Sequence, residues 1–272
     1  MTPSWLIELP ECDSTNTWAL AHAEALAHGA CVWTRSQTAG RGRGAKRWFA
    51  PPGVLTASFV LVQPSPLAAR QLSLAAGLAV AHAVEDLAPR ARVAIKWPND
   101  CIISDRKLAG ILCEHAQSSE RVVIGVGLNL DPKWEQAPEQ LPFALEGTAS
   151  VAECCHADKA VVPSMPEMLA ALRRYLIEAA GLISADGFNR LLTPLRNRDY
   201  LHGKQLQVED GAQQHAGIGA GIDGEGRLLL RDGATQHALS SGSVSIVGPG
   251  EDARRFSRWF VVGDRKTRKR PN

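Results

Sequence analysis

Residues 37–48 read Gln37-Thr38-Ala39-Gly40-Arg41-Gly42-Arg43-Gly44-Ala45-Lys46-Arg47-Trp48. Alternating glycine lets a backbone adopt unusual dihedrals and come close to a ligand. A loop of that kind can turn several N–H groups toward an anion. Arg41 and Arg43 add planar, permanently charged forks that match phosphate or carboxylate oxygens. Read alone, the stretch also fits a mobile basic surface loop or an RNA-contacting Gly-Arg segment, so its neighbours must decide.

Upstream, Trp5 to Leu9 reads as a short strand ended by Pro10. The polar cluster Asp13-Ser14-Thr15-Asn16-Thr17 then precedes an alanine-rich helical run to about His28. As structure the cluster is an N-cap; as function its adjacent hydroxyl and amide groups suit the reading of a polar ring. Gly29 ends the helix, and Cys31–Thr34 forms a strand leading into the Gly-Arg loop. Downstream, Pro51-Pro52-Gly53 turns the chain into a buried strand over Val54–Val62. A scaffold helix follows over Leu67–Leu87.

Val93–Lys96 reads as a strand that breaks at Trp97-Pro98 and leaves Asn99 and Asp100 just beyond. Strand ends are a common place for polar chemistry, and an Asn-Asp turn is the plainer alternative. Cys101–Ile103 and Leu108–Cys113 make a hairpin around residues 104–106. Lys107, opening the returning strand, reads as an edge-strand solvating lysine. Gly110 marks a close approach. In the strand Arg121–Leu130, Gly125, Gly127 and Asn129 share one face, and the glycines leave it bare for a flat ligand or for tight packing. Residues 131–148 read as an extended connection, followed by a helix over Glu167–Ala180 and a shorter one over Gly187–Leu195. From Gly203, strands at 204–208, 213–222, 227–230 and 237–247 alternate with Asp-Gly turns, predicting a small barrel or sandwich of about five strands.

The whole chain has 272 residues, 45% of them hydrophobic and 21% charged, enough for a sizeable core without disulfides. Six cysteines lack CxxC spacing, which predicts reduced thiols in a cytoplasmic protein with neither a disulfide framework nor a zinc site. No stretch reads as a membrane span or a signal peptide. Of the net charge of +2, residues 251–272 carry +5, with eight Arg/Lys against three Asp/Glu. The body is therefore slightly acidic and unlike a basic nucleic-acid binder. The tail is expected to be disordered.

Five motifs fall in order between residues 14 and 130: Ser14-Thr15-Asn16, Gln37-Thr38-Ala39-Gly40-Arg41-Gly42-Arg43, Lys96-Trp97-Pro98-Asn99-Asp100, Arg106-Lys107-Leu108-Ala109-Gly110-Ile111-Leu112, and Gly125-Val126-Gly127-Leu128-Asn129. Together they resemble the catalytic domain of biotin–protein ligases, and residues 203–247 are similar to that family's small C-terminal domain. The resemblance implies an α+β fold, with a mixed sheet flanked by helices like the class II aminoacyl-tRNA synthetase cores over residues 1–198. It also implies an SH3-like β-barrel over 199–250.

It further implies a two-step reaction. Biotin and Mg-ATP give biotinyl-AMP and pyrophosphate, and a lysine of a biotin carboxyl-carrier protein then takes the biotin and releases AMP. Lys107, Arg41 and Arg43 would act on the carboxylate and phosphates, with Asp100 as a further catalytic residue and magnesium ligand. Ser14, Thr15, Asn16 and Gln37 would surround the biotin ring, with Gly40, Gly42, Gly110, Gly125 and Gly127 beside it. Lys46, Trp48, Lys96, Asn99 and Asn129 complete the expected nucleotide site, Asn129 toward adenine.

The expected protein is cytoplasmic, a monomer or weak homodimer, with no membrane contact. Only 13 residues precede Ser14, so no helix-turn-helix domain and no DNA binding are expected. Gly44 and Ala45 stand where the family usually has Arg and Gly, a departure that bears on loop closure and adenylate retention. The rival readings are a lipoate–protein ligase, a biotin sensor without catalysis, and an RNA-binding module.

Overall fold

Two long strands, β3 (Val54–Val62) and β7 (Arg121–Asn129), lie antiparallel through the middle of a seven-stranded sheet. The computed structural model describes residues 3–44, 46–62, 69–116, 120–137 and 145–247. The other strands of this sheet are β1 (Leu6–Leu9), β2 (Ala30–Thr34), β4 (Ala94–Lys96), β5 (Asp100–Ile103) and β6 (Arg106–His115). Their order is β1-β2-β3-β7-β6-β5-β4, with β1 parallel to β2 and every other pair antiparallel.

Both faces of the sheet are covered, which is why Val54–Val62 reads as a nearly unbroken apolar run. Cys31, Phe59 and Ile124 face the main core, with residues of the helices α2 (Ala69–Leu87) and α4 (Met165–Asp186). Val32, Val60 and Val123 point the other way, toward Ala19 of the helix α1 (Thr15–Ala21). Thr56 and Ser58 alternate with the core residues of β3, so the α1 side of the sheet carries its buried polar groups.

A second sheet is entirely antiparallel. It comprises β8 (Gln205–Asp210), β9 (Gln213–Ile222), β10 (Leu228–Asp232), β11 (Thr235–Leu239) and β12 (Ser243–Ile246), in the order β11-β10-β9-β8-β12. Leu206, Val208, Leu228 and Leu230 pack into one cluster with Leu74 and Leu78 of α2 and with Trp97. Trp97 is 1% exposed and donates its indole N–H to the Gly226 carbonyl at 3.0 Å. The Trp-Pro break thus anchors the small sheet to the large one. Arg198 adds a bidentate pair with Glu85 on α2, at 2.6 and 2.7 Å.

The mixed core and the five-stranded unit follow the expected architecture, and three local differences have physical reasons. The first helix ends at Ala21 and gives way to a 3-10 turn over Ala23–Ala25, because Leu26 turns in to pack with Ala30 and Val32. The helix α3 (Val151–Ala157) was not anticipated, although Ser150 accepts from the Glu153 N–H at 3.1 Å in a legible N-cap. α4 begins at Met165 with a capping box of Ser164 and Glu167 and runs past Ala180 to Asp186. One further helix, α5 (Leu192–Arg196), leads to the small sheet. The expected start of α2 at Leu67, the Ala45 departure and the tail 251–272 lie outside the described residues.

Candidate active site

A cavity of about 830 Å³ opens on the α1 side of the sheet. Its walls come from the start of α1, the Gly-Arg loop, β3, β7, the β4–β6 segment and the edge of the small sheet. Of the expected residues, Ser14, Thr15, Asn16, Gln37, Arg41, Gly42, Arg43, Lys46, Trp48, Lys96, Asn99, Asp100, Lys107, Gly110, Gly125 and Gly127 all line it. Gly40 and Asn129 do not. A Cβ on Gly40 would meet the Trp48 carbonyl at 2.4 Å, so this glycine lets the two strands of the loop approach. The Asn129 amide donates to the carbonyls of Lys107 and Ala149 at 3.2 and 3.0 Å. It therefore braces the Lys107 strand and does not face the cavity.

The wall nearest α1 is neutral. Ser14 occupies the N-cap position without a side-chain capping bond. Capping is thus not what the Ser14 hydroxyl is used for, while Asp13 accepts the Ser14 N–H at 2.6 Å. Thr15 donates its backbone N–H to Gln37 Oε1 at 2.8 Å. Asn16 donates to the Leu112 carbonyl at 3.1 Å and to Glu114 Oε2 at 2.9 Å. Ser58 Oγ lies 2.8 Å from Thr15 Oγ1 and 2.6 Å from Asn16 Oδ1. Thr15, Asn16 and Ser58 are at most 4% exposed, and these bonds meet the polar requirement of that burial.

The expected bare strand face is covered by two side chains in this structure. A Cβ on Gly125 would lie 2.3 Å from Asn16 Oδ1, and one on Gly127 would lie 2.3 Å from Trp48 Cε2. Gly110 also faces the Trp48 ring, with Lys107 Nζ 3.4 Å from its would-be Cβ. The glycines therefore hold open a slot for Asn16 and Trp48. Trp48 Nε1 is buried without a hydrogen-bond partner.

The opposite wall is cationic. Lys107 lies on an interior strand between β5 and β7, which excludes the edge-solvating reading. Its Nζ is 2.7 Å from Asp100 Oδ1. Asn99 donates its side-chain amide to the Ile111 carbonyl at 2.9 Å and so pins the turn to β6. Burial pushes the Lys96 ammonium below its ordinary range; Asp100 opposes that shift, and Lys107, Lys46 and Lys204 reinforce it. Burial likewise lowers Lys46 and Arg43. Arg43 reaches across to the small sheet and donates to the Gly242 carbonyl at 2.8 Å.

Arg41 makes a bidentate pair with Glu114, at 2.7 and 3.1 Å. Glu114 and Ser58 escaped the sequence reading. Ser58 lies within the expected strand Val54–Val62, whereas Glu114 falls just past the expected strand end at Cys113 and lies within β6, and nothing local points to the partners of either.

A cavity that joins a closed polar cluster to a crowd of cations suits a polar ring carrying an acid and a second, polyanionic substrate. The model of the biotin/lipoate A/B protein ligase family matches residues 9–131. The biotin–[acetyl-CoA-carboxylase] ligase of Paracoccus denitrificans is 34% identical over 249 residues, covering 88% of this chain and 100% of that protein. The chain belongs to the biotin–protein ligase family. The Mycobacterium tuberculosis ligase of the same name is 35% identical over 239 residues and 85% of each chain. The biotin protein ligase of Aquifex aeolicus, solved with biotin and ATP, superposes with a TM-score of 0.76 over 89% of this chain and 98% of that one. At 23% identity that likeness bears on the ligase fold alone. No helix among the described residues is long and apolar enough to cross a membrane.

Proposed function

We infer that this chain is a biotin–[acetyl-CoA-carboxylase] ligase, which adenylates biotin with ATP and passes the biotinyl group to a lysine of a carrier protein. The observation that carries the reading is the convergence of the neutral Thr15–Asn16–Gln37 wall and the cations Arg41, Arg43, Lys46, Lys96 and Lys107 on one cavity.

The chemistry requires both walls. A carboxylate lacks a leaving group, and adenylation supplies one. Attack of the biotin carboxylate oxygen on the α-phosphorus forms the acyl-phosphate bond and breaks the bond to pyrophosphate. Two anions must meet for this, so fixed positive charge where negative charge accumulates lowers the barrier. Lys107 serves the carboxylate and α-phosphate, while Arg43, Lys46 and Lys96 hold the polyphosphate. The carrier lysine then attacks the acyl carbon, AMP leaves, and an amide remains. A closed Gly-Arg loop keeps water from the anhydride in the meantime.

Magnesium would arrive with the nucleotide. No group of three or more His, Cys, Asp or Glu among the described residues is placed to hold a metal, and Asp100 already pairs with Lys107. That donor set fits an ion carried mainly on phosphate oxygens with a single carboxylate, where it would neutralise phosphate charge. Residues 1–198 would carry the catalysis and 199–250 would close one side of the cavity. All six cysteines are free thiols, which supports work in the reducing cytoplasm.

The test is incubation of purified protein with Mg-ATP, labelled biotin and a biotin carboxyl-carrier domain. Label should appear on one carrier lysine. Transfer of lipoate in place of biotin would overturn the reading.

A further inference from the structure

Six side chains join into one continuous line from the neutral wall to the loop: Gln37, Thr15, Ser58, Asn16, Glu114 and Arg41. We propose that Ser58 and Glu114 are positioning residues that set the hydrogen-bond polarity of the biotin-ring wall and couple it to the loop arginine. The inference rests on the ligase reading above and goes beyond it in assigning two residues that reach the substrate only through others.

The count of protons fixes the direction of the line. Asn16 Oδ1 only accepts, and it lies 2.6 Å from Ser58 Oγ, so the single Ser58 proton goes there. The single Thr15 hydroxyl proton then has two acceptors, Ser58 Oγ at 2.8 Å and Gln37 Oε1 at 3.2 Å. Gln37 Oε1 also accepts the Thr15 backbone N–H at 2.8 Å. Whichever acceptor takes the proton, Thr15 Oγ1 keeps accepting capacity, and Thr15 lines the cavity, where it can meet a ring N–H. Ser58, 0% exposed on β3, thereby acts together with Gln37 to claim the Thr15 proton and hold the threonine as an acceptor.

At the other end, Asn16 cannot flip. Its amide nitrogen is claimed by two acceptors, the Leu112 carbonyl at 3.1 Å and Glu114 Oε2 at 2.9 Å. The same carboxylate takes both terminal nitrogens of Arg41, at 3.1 and 2.7 Å. Glu114 is therefore the joint between a fixed amide and the loop guanidinium. Its charge holds Arg41 over the neutral wall, and charge-assisted bidentate pairing gives that hold direction as well as strength.

Ser58→Ala and Glu114→Gln are near-isosteric and, with their double variant, form a cycle. The readouts are the biotin KM and kcat of ATP–pyrophosphate exchange, and the release rate of biotinyl-AMP. Each single change should raise the biotin KM roughly tenfold, the worth of one buried hydrogen bond, with kcat at saturating biotin within about threefold. Ser58→Ala should also speed biotinyl-AMP release, although Ser58 does not touch Arg41. The double variant should be no worse than the poorer single one, as expected for parts of one unit.

Biotin KM effects that multiply in the double variant, or an unchanged biotin KM in either single one, would overturn the proposal. A fall in kcat matching the change in KM would mark general damage and also count against it. Lack of exchange by the unaltered protein would instead sink the ligase reading.

Discussion

Along one wall of the cavity, Thr15, Asn16, Gln37 and Ser58 satisfy one another at 2.6–3.2 Å. Along the other, Arg43, Lys46, Lys96 and Lys107 crowd around Asp100. The neutral wall is held in place by its own hydrogen bonds and keeps accepting capacity at Thr15. The cationic wall carries an excess of like charge in partly desolvated surroundings, and an anion relieves it. The first arrangement selects a shape; the second waits for a reaction partner. On the proposed function, binding energy is divided between recognition that is already organised and charge stabilisation that matters when the two anions are pressed together.

Substitutions can separate the two walls. Lys107→Ala should have the largest effect, lowering biotin-dependent pyrophosphate exchange by about 100- to 1000-fold. Calorimetry should show biotin alone binding that variant nearly as well as the parent. A matching loss of biotin affinity would erase the distinction between the walls.

Arg43→Gly should come next. Loss of a charge-assisted contact is worth about 1.5–3 kcal/mol, so biotinyl-AMP should leave about 10- to 100-fold faster in a pulse-chase release assay. Because Arg43 bonds to Gly242 of the small sheet here, the same assay also reports whether that contact yields to the adenylate.

A smaller effect is expected on pH dependence. Lys96 is lowered by burial, so it loses its charge at a lower pH than an ordinary lysine as pH rises. The KM for ATP should therefore climb at a lower pH than an ordinary lysine would give, and Lys96→Arg should flatten the climb. A profile identical in both proteins would remove Lys96 from the nucleotide site.

The smallest effect concerns the joint between the two sheets. Burial pushes the Glu85 carboxyl up, but hydrogen bonds from Arg198 and the Val93 N–H outweigh it and leave it below the ordinary carboxylate range. That stabilisation is present above the unfolded value and is lost as pH falls through the lowered one. Glu85→Gln should lower the thermal midpoint near neutral pH by about 2–4 °C. The gap from the parent should close in acid.

Much of this was legible in the sequence because the chemistry sits in short ordered motifs. The Gly-Arg loop, the Lys96–Asp100 break and the Lys107 strand occur at strand ends, where local pattern and site geometry coincide. Strand alternation also showed Gly125 and Gly127 on one face. That face is filled by Asn16 and Trp48, which are distant in sequence, so the bare strip read from one strand was only half of the arrangement. Glu114 was hidden for the same reason: it is 73 residues from Arg41 and 98 from Asn16. Asn129 shares the face of the two glycines, yet it turned out to serve the backbone of Lys107. Periodicity gives a side chain its face but not its partner.

The most direct measurement is ATP–pyrophosphate exchange by the unaltered protein, run with biotin, with lipoate and with neither acid. Exchange that depends on biotin and is absent in the other two reactions is the expected result. Exchange with lipoate but not biotin, or exchange that needs no acid, would contradict the assignment of the two walls to one biotin-activating site.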